Sequence, residues 1–174
     1  MEQIAQLIRN VQDFPKPGIG FKDITTLIRD GEAFHRVIET FVDKYKDDRI
    51  QYVVGTEARG FLFAAPVAYR LGAGVVPVRK PGKLPAATIQ EEYALEYGTD
   101  KIEIHKDALA PGAKVLVIDD LLATGGTVEA TCKLVEKAGG VIEGVAFLIE
   151  LDFLNGRKKL EQYDVFSLIH YDGE

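Results

Sequence analysis

Apolar residues follow two different spacings along this chain. Within residues 32–45 they recur at three- and four-residue intervals, which is typical of one face of a helix. Residues 115–118 instead form an unbroken apolar run, which is typical of a strand buried on both faces of a sheet. Because helical and strand-like segments alternate, the pattern predicts an α/β fold with a central, mostly parallel sheet flanked by helices.

The same pattern predicts the individual elements. Helices are predicted at residues 2–11, 32–45, 61–71, 127–138 and about 155–161. Strands are predicted at residues 50–55, 74–79, 90–97, 101–105, 114–118, 142–149 and 165–169. The strands at 90–97 and 101–105 should pair as a hairpin. Proline and glycine predict loops at 13–18 and 80–87.

Composition narrows the class of protein. A length of 174 residues suits one domain spanning 1–174. The net charge of −6 argues against a nucleic-acid partner, since such proteins carry a broad basic face. No apolar run reaches the roughly 18 residues of a membrane span, and the N-terminus lacks the features of a signal peptide. The single cysteine, Cys132, cannot form an internal disulfide, which favours a cytoplasmic location.

Residues 115–127 carry the clearest chemistry. An apolar strand leads into a loop of small residues and then into a predicted helix, so the loop lies at the carboxyl edge of the sheet, where α/β proteins bind ligands. Gly125 and Gly126 allow backbone N–H groups to approach a phosphate at the positive end of the helix dipole. Thr124 and Thr127 add hydroxyl donors, and Thr127 is also a candidate helix cap.

Two acids, Asp119 and Asp120, precede this loop. They would repel phosphate, but they suit sugar hydroxyls or a hydrated Mg²⁺. The segment therefore fits a ligand that resembles ribose 5-phosphate. It is neither a Walker loop nor a dinucleotide-binding fingerprint, because the residues that define those motifs are missing from it. The competing interpretation is an ordinary strand–turn–helix with a solvated pair of acids.

Six blocks of sequence resemble the type I phosphoribosyltransferase family, and most closely its adenine-specific branch. In chain order they are FPKPG (14–18), FKDI (21–24), GTEARGF (55–61), VRKPGKLP (78–85), LEYG (95–98) and DDLLATGGT (119–127). The resemblance covers nearly the whole chain. It implies the fold of that family, with residues 1–30 as a small N-terminal hood that binds the base, residues 31–174 as the core, and a flexible β-hairpin loop over the site.

The resemblance also implies an activity. Such an enzyme joins adenine to the ribose of 5-phosphoribosyl 1-pyrophosphate (PRPP), which gives AMP and pyrophosphate in purine salvage. Mg²⁺ would accompany PRPP, held mainly by substrate oxygens rather than by a protein cage, and a homodimer is expected. Two alternatives stay open: a phosphoribosyltransferase for hypoxanthine, guanine or xanthine, and a regulator that binds PRPP without chemistry.

Residue roles follow from the resemblance. The 5-phosphate is assigned to Ala123, Thr124, Gly125, Gly126 and Thr127, and the ribose hydroxyls to Asp119 and Asp120. Pyrophosphate is assigned to Glu57, Ala58 and Arg59, in a loop expected to hold a cis peptide near Glu57–Ala58, together with Lys80 and Lys83. Adenine is assigned to Gly20, Phe21 and Lys22, the acid–base role to Glu96, and Arg79 and Tyr97 are further candidates.

Several of these residues also have a simpler interpretation. Phe21 could be a core aromatic, and Glu96 a solvent-facing strand carboxylate. Relatives often carry an aliphatic residue at position 20 and arginine at position 22, so Gly20 and Lys22 retain mainly a backbone role toward the base. The three histidines, at positions 35, 105 and 170, have no metal-like spacing and are interpreted as structural, as Cys132 is.

Overall fold

The computed structural model describes residues 2–94 and 98–173. The N-terminal elements are α1 (Glu2–Ala5), β1 (Arg9–Val11), β2 (Phe21–Asp23), α2 (Thr25–Ile28) and α3 (Gly31–Tyr45). They are followed by β3 (Tyr52–Thr56), α4 (Gly60–Leu71), β4 (Gly74–Val78), β5 (Thr88–Ala94) and β6 (Thr99–His105). The last elements are β7 (Lys114–Leu122), α5 (Gly126–Lys137), β8 (Val141–Leu151), two 3₁₀ turns (Asp152–Leu154 and Gly156–Leu160) and β9 (Val165–Tyr171).

The centre of the molecule is a five-stranded sheet in the order β4-β3-β7-β8-β9, and each adjacent pair is parallel. Successive residues of β3 and β7 face opposite sides of this sheet, and both sides are buried. Val53 and Leu116 belong to the cluster beneath α3 and α4, whereas Val54 and Val117 belong to the cluster beneath α5. This arrangement confirms the predicted α/β class and explains the apolar run in β7.

Three loops meet at the carboxyl edge of the sheet. Residues 57–59 follow β3, residues 123–125 follow β7, and the two 3₁₀ turns follow β8. The strands β3, β7 and β8 are neighbours, so these loops lie side by side. The antiparallel hairpin β5–β6 packs on α5 outside the sheet. Two of the three loops at this edge, after β3 and after β7, are segments that the sequence singled out, and ligands bind at this edge in parallel α/β folds.

The predicted helix at 2–11 is wrong beyond its first turn. The helix α1 ends at Ala5, and β1 then pairs antiparallel with β2, with Val11 opposite Phe21. An ion pair between Arg9 Nε and Asp23, at 3.0 Å, reinforces that pairing. Tertiary pairing with a distant strand therefore overrides the local helical pattern.

The strand β7 is longer than predicted, ending at Leu122 rather than at Ile118. Its partner β8 continues alongside, with Glu150 opposite Leu122, so Asp119 and Asp120 lie inside the strand and not after it. The prediction that Thr127 caps α5 is also wrong, because the N-cap residue is Gly125. Among the residues described, no helix is long and apolar enough to cross a membrane.

Candidate active site

The loop between β7 and α5 encloses a small cavity of about 80 Å³. Its lining consists of Asp119, Leu121, Leu122, Ala123, Thr124, Gly125, Gly126, Thr127 and Val128. All five residues assigned to the 5-phosphate therefore border one cavity, at the start of a 12-residue helix whose first N–H groups have no partner within the helix. Such a helix start favours an anion.

Glycine is required at position 125 for two reasons. Its φ of 79° lies in the left-handed region, which disfavours side chains with a Cβ. A Cβ there would also lie 2.6 Å from the carbonyl oxygen of Gly156, which belongs to the second 3₁₀ turn. Gly126 is less constrained, since its Cβ would lie 3.3 Å from the carbonyl oxygen of Ala94 at the end of β5. The loop is therefore enclosed by the C-terminal turn and by the hairpin.

The two aspartates are held by different groups. Asp120 is 5% exposed and pairs with Arg59 through Oδ2 and Nε, 2.8 Å apart. Asp119 accepts a hydrogen bond of 2.9 Å from the backbone N–H of Asp120. A Cβ on Gly60 would lie 2.8 Å from Asp119 Oδ1, so α4 can begin this close to the carboxylate only with glycine.

Burial alters the protonation of this pair. Burial, and then the charge of Asp120, raise the pKa of Asp119 well above the usual aspartate range. Burial also raises the pKa of Asp120, although the Arg59 guanidinium opposes the rise. Two acids this close together disfavour double ionisation, so the pair can both donate and accept hydrogen bonds toward a ligand with hydroxyl groups.

The loop after β3 contains the cis peptide Glu57–Ala58 that the resemblance implied. The Glu57 carboxylate accepts hydrogen bonds from the backbone N–H of Lys80 (2.8 Å) and from Arg79 Nε (3.1 Å). Glu57 thus links the loop after β3 to the loop after β4. Its carboxylate thereby positions the Arg79 side chain and the backbone of Lys80.

The lysines of the loop after β4 differ in their contacts. Lys80 Nζ forms an ion pair with Asp100 and lies 3.5 Å from the hydroxyl of Tyr93, both on the hairpin. Lys83 is exposed, and its carbonyl oxygen accepts a 3.4 Å hydrogen bond from Arg79. Lys80 is therefore directed toward the hairpin, whereas the structure gives Lys83 only a backbone contact.

An aromatic cavity of about 180 Å³ lies beside β2, lined by Val11, Phe14, Phe21 and Asp23. The rings of Phe14 and Phe21 meet edge to face, with centroids 5.1 Å apart. Arg59 Cζ lies 5.1 Å from the Phe21 centroid, so one guanidinium contacts both this ring and Asp120. The sequence did not single out Val11 as a lining residue, because it lay in a segment predicted to be helical.

Lys22 and Gly20 are not among the residues that line this cavity. The Lys22 side chain is buried, hydrogen-bonds Asn10 at 3.4 Å and lies 4.4 Å from the Tyr171 ring centroid. It therefore projects from the opposite face of β2 to Phe21, as alternate strand residues do. Gly20 directly precedes β2.

Glu96 and Tyr97 lie outside the described residues. The strand that leads to them is fixed against α5 by an ion pair between Glu91 and Lys137. At its end, Ala94 and Tyr93 flank Gly126, with the Tyr93 ring 3.5 Å from the position of a Cβ there. The hairpin thus reaches the phosphate loop two residues before Glu96.

Of the residues described, one group of three could hold a metal ion by proximity: Glu150, Asp152 and His170, with ligand atoms within 4.8 Å of one another. Glu150 already accepts hydrogen bonds from Arg157 and Ser167, and His170 Nδ1 lies 3.0 Å from Asp152 Oδ1. These contacts form a salt-bridge network that links β8 and β9 to the two 3₁₀ turns. The buried Cys132 packs in the core, where burial raises the pKa of its thiol to about 12.

Comparisons with known proteins agree with this geometry. Residues 25–171 match the model of the phosphoribosyl transferase domain. The adenine phosphoribosyltransferase of Chloroflexus aurantiacus is 62% identical over 170 residues, 98% of each chain. The crystal structure of the enzyme from Thermoanaerobacter pseudethanolicus superposes with a TM-score of 0.95 at 56% identity, covering 98% of this chain and 99% of that one.

A more distant relative was crystallised with ligands. The adenine phosphoribosyltransferase of Saccharomyces cerevisiae, complexed with adenine and an iminoaltritol bisphosphate, is 39% identical with a TM-score of 0.90, covering 96% of this chain and 99% of that one. The domain match and these full-length similarities agree with one another. The chain therefore belongs to the adenine phosphoribosyltransferase family of type I phosphoribosyltransferases.

Proposed function

We propose that this chain transfers adenine to PRPP and releases AMP and pyrophosphate, a reaction of purine salvage. The proposal rests on one edge of the sheet, where the phosphate loop, the acid pair and the aromatic cavity lie together. Arg59 links them, because its guanidinium contacts both Asp120 and the Phe21 ring. Proteins related over the full chain length are adenine phosphoribosyltransferases, and the S. cerevisiae relative was crystallised with adenine.

In the proposed complex, residues 123–127 bind the 5-phosphate through backbone N–H groups and two hydroxyls. Asp119 and Asp120 accept hydrogen bonds from the ribose hydroxyls. When the bond from C1 to pyrophosphate breaks ahead of attack by adenine N9, positive charge develops on the ribose ring. The negative charge that the pair retains stabilises the ring, because both side chains are fixed at the sheet edge before the reaction starts.

Pyrophosphate is proposed to leave along the loops after β3 and β4. Arg59 and Lys80 supply positive charge to it, and Lys80 would exchange its partner Asp100 for the substrate. Glu57 acts indirectly, by holding Arg79 and the backbone of Lys80 in place. Lys83, exposed in the same loop, is a weaker candidate for this role.

The acid pair is compatible with Mg²⁺ as the proposed partner of PRPP. Carboxylate oxygens suit this ion, but Asp120 is already paired with Arg59 and only Asp119 lines the phosphate cavity. The two residues would therefore contact a hydrated ion held mainly by substrate oxygens. When bound, Mg²⁺ neutralises charge that develops on pyrophosphate.

Adenine is proposed to occupy the cavity lined by Phe14 and Phe21, where aromatic stacking contributes about 1–3 kcal/mol per base. Stacking does not distinguish purines. Backbone groups at Gly20 and Lys22 would do so, because adenine offers N6 donors and an N1 acceptor, whereas hypoxanthine and guanine carry a carbonyl and an N1–H. In this proposal residues 1–30 form a hood over the base, and residues 31–174 form the core.

The first test is release of pyrophosphate from PRPP with each purine in turn. We expect adenine to be consumed with a kcat/KM at least about 100-fold above that of hypoxanthine or guanine, because a mismatched base leaves buried polar groups unpaired. Omission of Mg²⁺ should abolish turnover. Preference for hypoxanthine would assign the chain to another purine, and binding of PRPP without turnover would assign it to regulation.

We also propose a cytoplasmic homodimer. Leu62 and Tyr69 on α4 and Val75 on β4 are exposed apolar side chains, which supports self-association because exposed apolar surface often marks protein interfaces. The mass in solution, measured by light scattering, tests the homodimer against a monomer of 19.2 kDa.

Asp119→Asn should stabilise the fold at neutral pH while lowering activity. Because burial and the charge of Asp120 raise the pKa of Asp119, the folded protein binds more protons than the unfolded chain, whose aspartates titrate at about pH 4. The free energy of unfolding therefore falls as pH rises through the folded pKa, by about 1.4 kcal/mol per unit of pKa difference. Asparagine does not titrate, so the Asp119→Asn variant does not lose this free energy of unfolding as pH rises.

The measurement is the melting temperature of variant and wild type at pH 4 and pH 8. The advantage of Asp119→Asn should be larger at pH 8, while the exposed control Asp107→Asn should show the same small difference at both. An advantage independent of pH would contradict the assignment of a raised pKa to Asp119.

A further inference from the structure

The second 3₁₀ turn, Gly156–Leu160, contacts the phosphate loop directly. A Cβ on Gly156 would lie 2.1 Å from the carbonyl oxygen of Ala123 and 3.0 Å from the amide nitrogen of Gly125. A Cβ on Gly125 would in turn lie 2.6 Å from the carbonyl oxygen of Gly156. The two backbones therefore pack against each other with no room for a side chain on either glycine.

An ion pair between the buried Glu150 and the exposed Arg157 fixes this turn. Glu150, 4% exposed, accepts hydrogen bonds from Arg157 Nε at 2.9 Å and from Ser167 Oγ at 2.6 Å. Arg157 also donates to the carbonyl oxygen of Val165 at 2.9 Å, and Leu160 is completely buried in the core. The backbone of the turn is thus held at both ends, and the position of Lys159 within it is set.

Lys159 carries positive charge to the phosphate loop. Its Nζ lies 3.8 Å from the position of a Cβ on Gly126, the first residue of α5. The loop itself, residues 123–127, contains no lysine or arginine, and the carboxylate of Asp119 borders the same cavity. A phosphate monoester carries a charge of about −1.5 to −2 at pH 7, whereas a helix start supplies only about half a positive charge.

We propose that Lys159 is a phosphate-binding residue, whose ammonium group contacts the 5-phosphate of PRPP and of AMP from the C-terminal side of the loop. The inference rests on the proposed function and adds a residue from a segment outside the six matching blocks. Lys159 supplies the formal charge that the loop lacks, and the Glu150–Arg157 pair positions it. Charge-assisted contacts of this kind are stronger than those made by neutral donors.

Lys159→Gln tests this role, with Lys158→Gln as the matched control. Both lysines are exposed in the same turn, but Lys158 lines a different cavity, beside Glu161 and His170. Lys159→Gln should raise the KM for PRPP and the Kd for AMP by about 10-fold or more, since a hydrogen bond to a charged group is involved. The KM for adenine and the Kd for adenosine, which has no phosphate, should stay within twofold of the wild type.

Lys159→Arg should recover most of the affinity for AMP, and Lys158→Gln should leave every constant within twofold. The inference is overturned if Lys159→Gln binds AMP as tightly as the wild type does, or if it weakens adenosine and AMP equally. Failure of the proposed function is distinguishable from either result, because the wild-type protein would then release no pyrophosphate from PRPP and adenine.

Discussion

Replacing Gly125 by alanine should lower kcat/KM for PRPP by at least about 100-fold. Alanine in the left-handed region costs roughly 1–2 kcal/mol, and its Cβ would lie 2.6 Å from the carbonyl oxygen of Gly156. The C-terminal turn is held by the Glu150–Arg157 pair, so the phosphate loop must move instead. A displacement of about 1 Å at a binding site can reduce turnover 100-fold.

A matched control separates the cost of a left-handed backbone conformation from the effect of the substitution on phosphate binding. Gly72 has a φ of 68° at the end of α4, and a Cβ there would meet no atom within 4 Å. Gly72→Ala should therefore lose a similar amount of stability and keep its activity within threefold. Steady-state kinetics with varied PRPP, together with melting temperatures, compare the two variants. Full activity of Gly125→Ala would show that the loop does not bind the phosphate.

The sequence predicts the edge of the sheet better than its surroundings. The apolar run at 115–118 and the glycines that follow it are local signals, because a doubly buried strand and a glycine-softened turn each impose their own composition. The extension of β7 to Leu122 is not local, since it depends on pairing with β8. The acids therefore lie within the strand, where burial raises the pKa of both.

For the same reason, the pattern of apolar and polar residues does not predict contacts between distant segments. The pairing of Val11 with Phe21 converts part of a predicted helix into a strand that borders the aromatic cavity. The approach of Gly156 to Ala123 joins segments more than 30 residues apart, and neither residue has a periodic signal that marks it. A glycine next to a 3₁₀ turn is as typical of a surface loop as of a tight backbone contact.

Arg59 shows how the structure refines a role implied by resemblance. The resemblance implies only a pyrophosphate contact for Arg59. In the fold its guanidinium contacts both the Phe21 ring and Asp120, which connects the proposed base cavity to the proposed ribose site. Occupation of one part can therefore affect the other through a single side chain. A lysine could not replace it, because it lacks the planar group that stacks on a ring while forming an ion pair.

Glu96→Gln should lower kcat by on the order of 100-fold, the usual loss when a general acid–base group is removed. The assignment rests on the resemblance and on the hairpin, whose Ala94 carbonyl oxygen lies 3.3 Å from the position of a Cβ on Gly126. Glu96 itself lies outside the described residues, and its role toward the base is implied by the resemblance. Its protonated carboxyl group could donate a hydrogen bond to adenine N7, or its carboxylate could take the N9 proton. Glutamine can replace it only in the first role, by donating through its amide.

The control for this variant is Glu92→Gln on β5, four positions earlier in the sequence. Glu92 pairs with Lys101 across the hairpin at 3.2 Å, and both side chains are about half exposed. Removal of that pair should change kcat by less than threefold, since exposed ion pairs contribute little. The pH dependence of kcat distinguishes the two roles of Glu96, because loss of a proton acceptor should also remove the acidic limb of the profile. An unchanged kcat for Glu96→Gln would exclude this carboxylate as the acid–base group of the reaction.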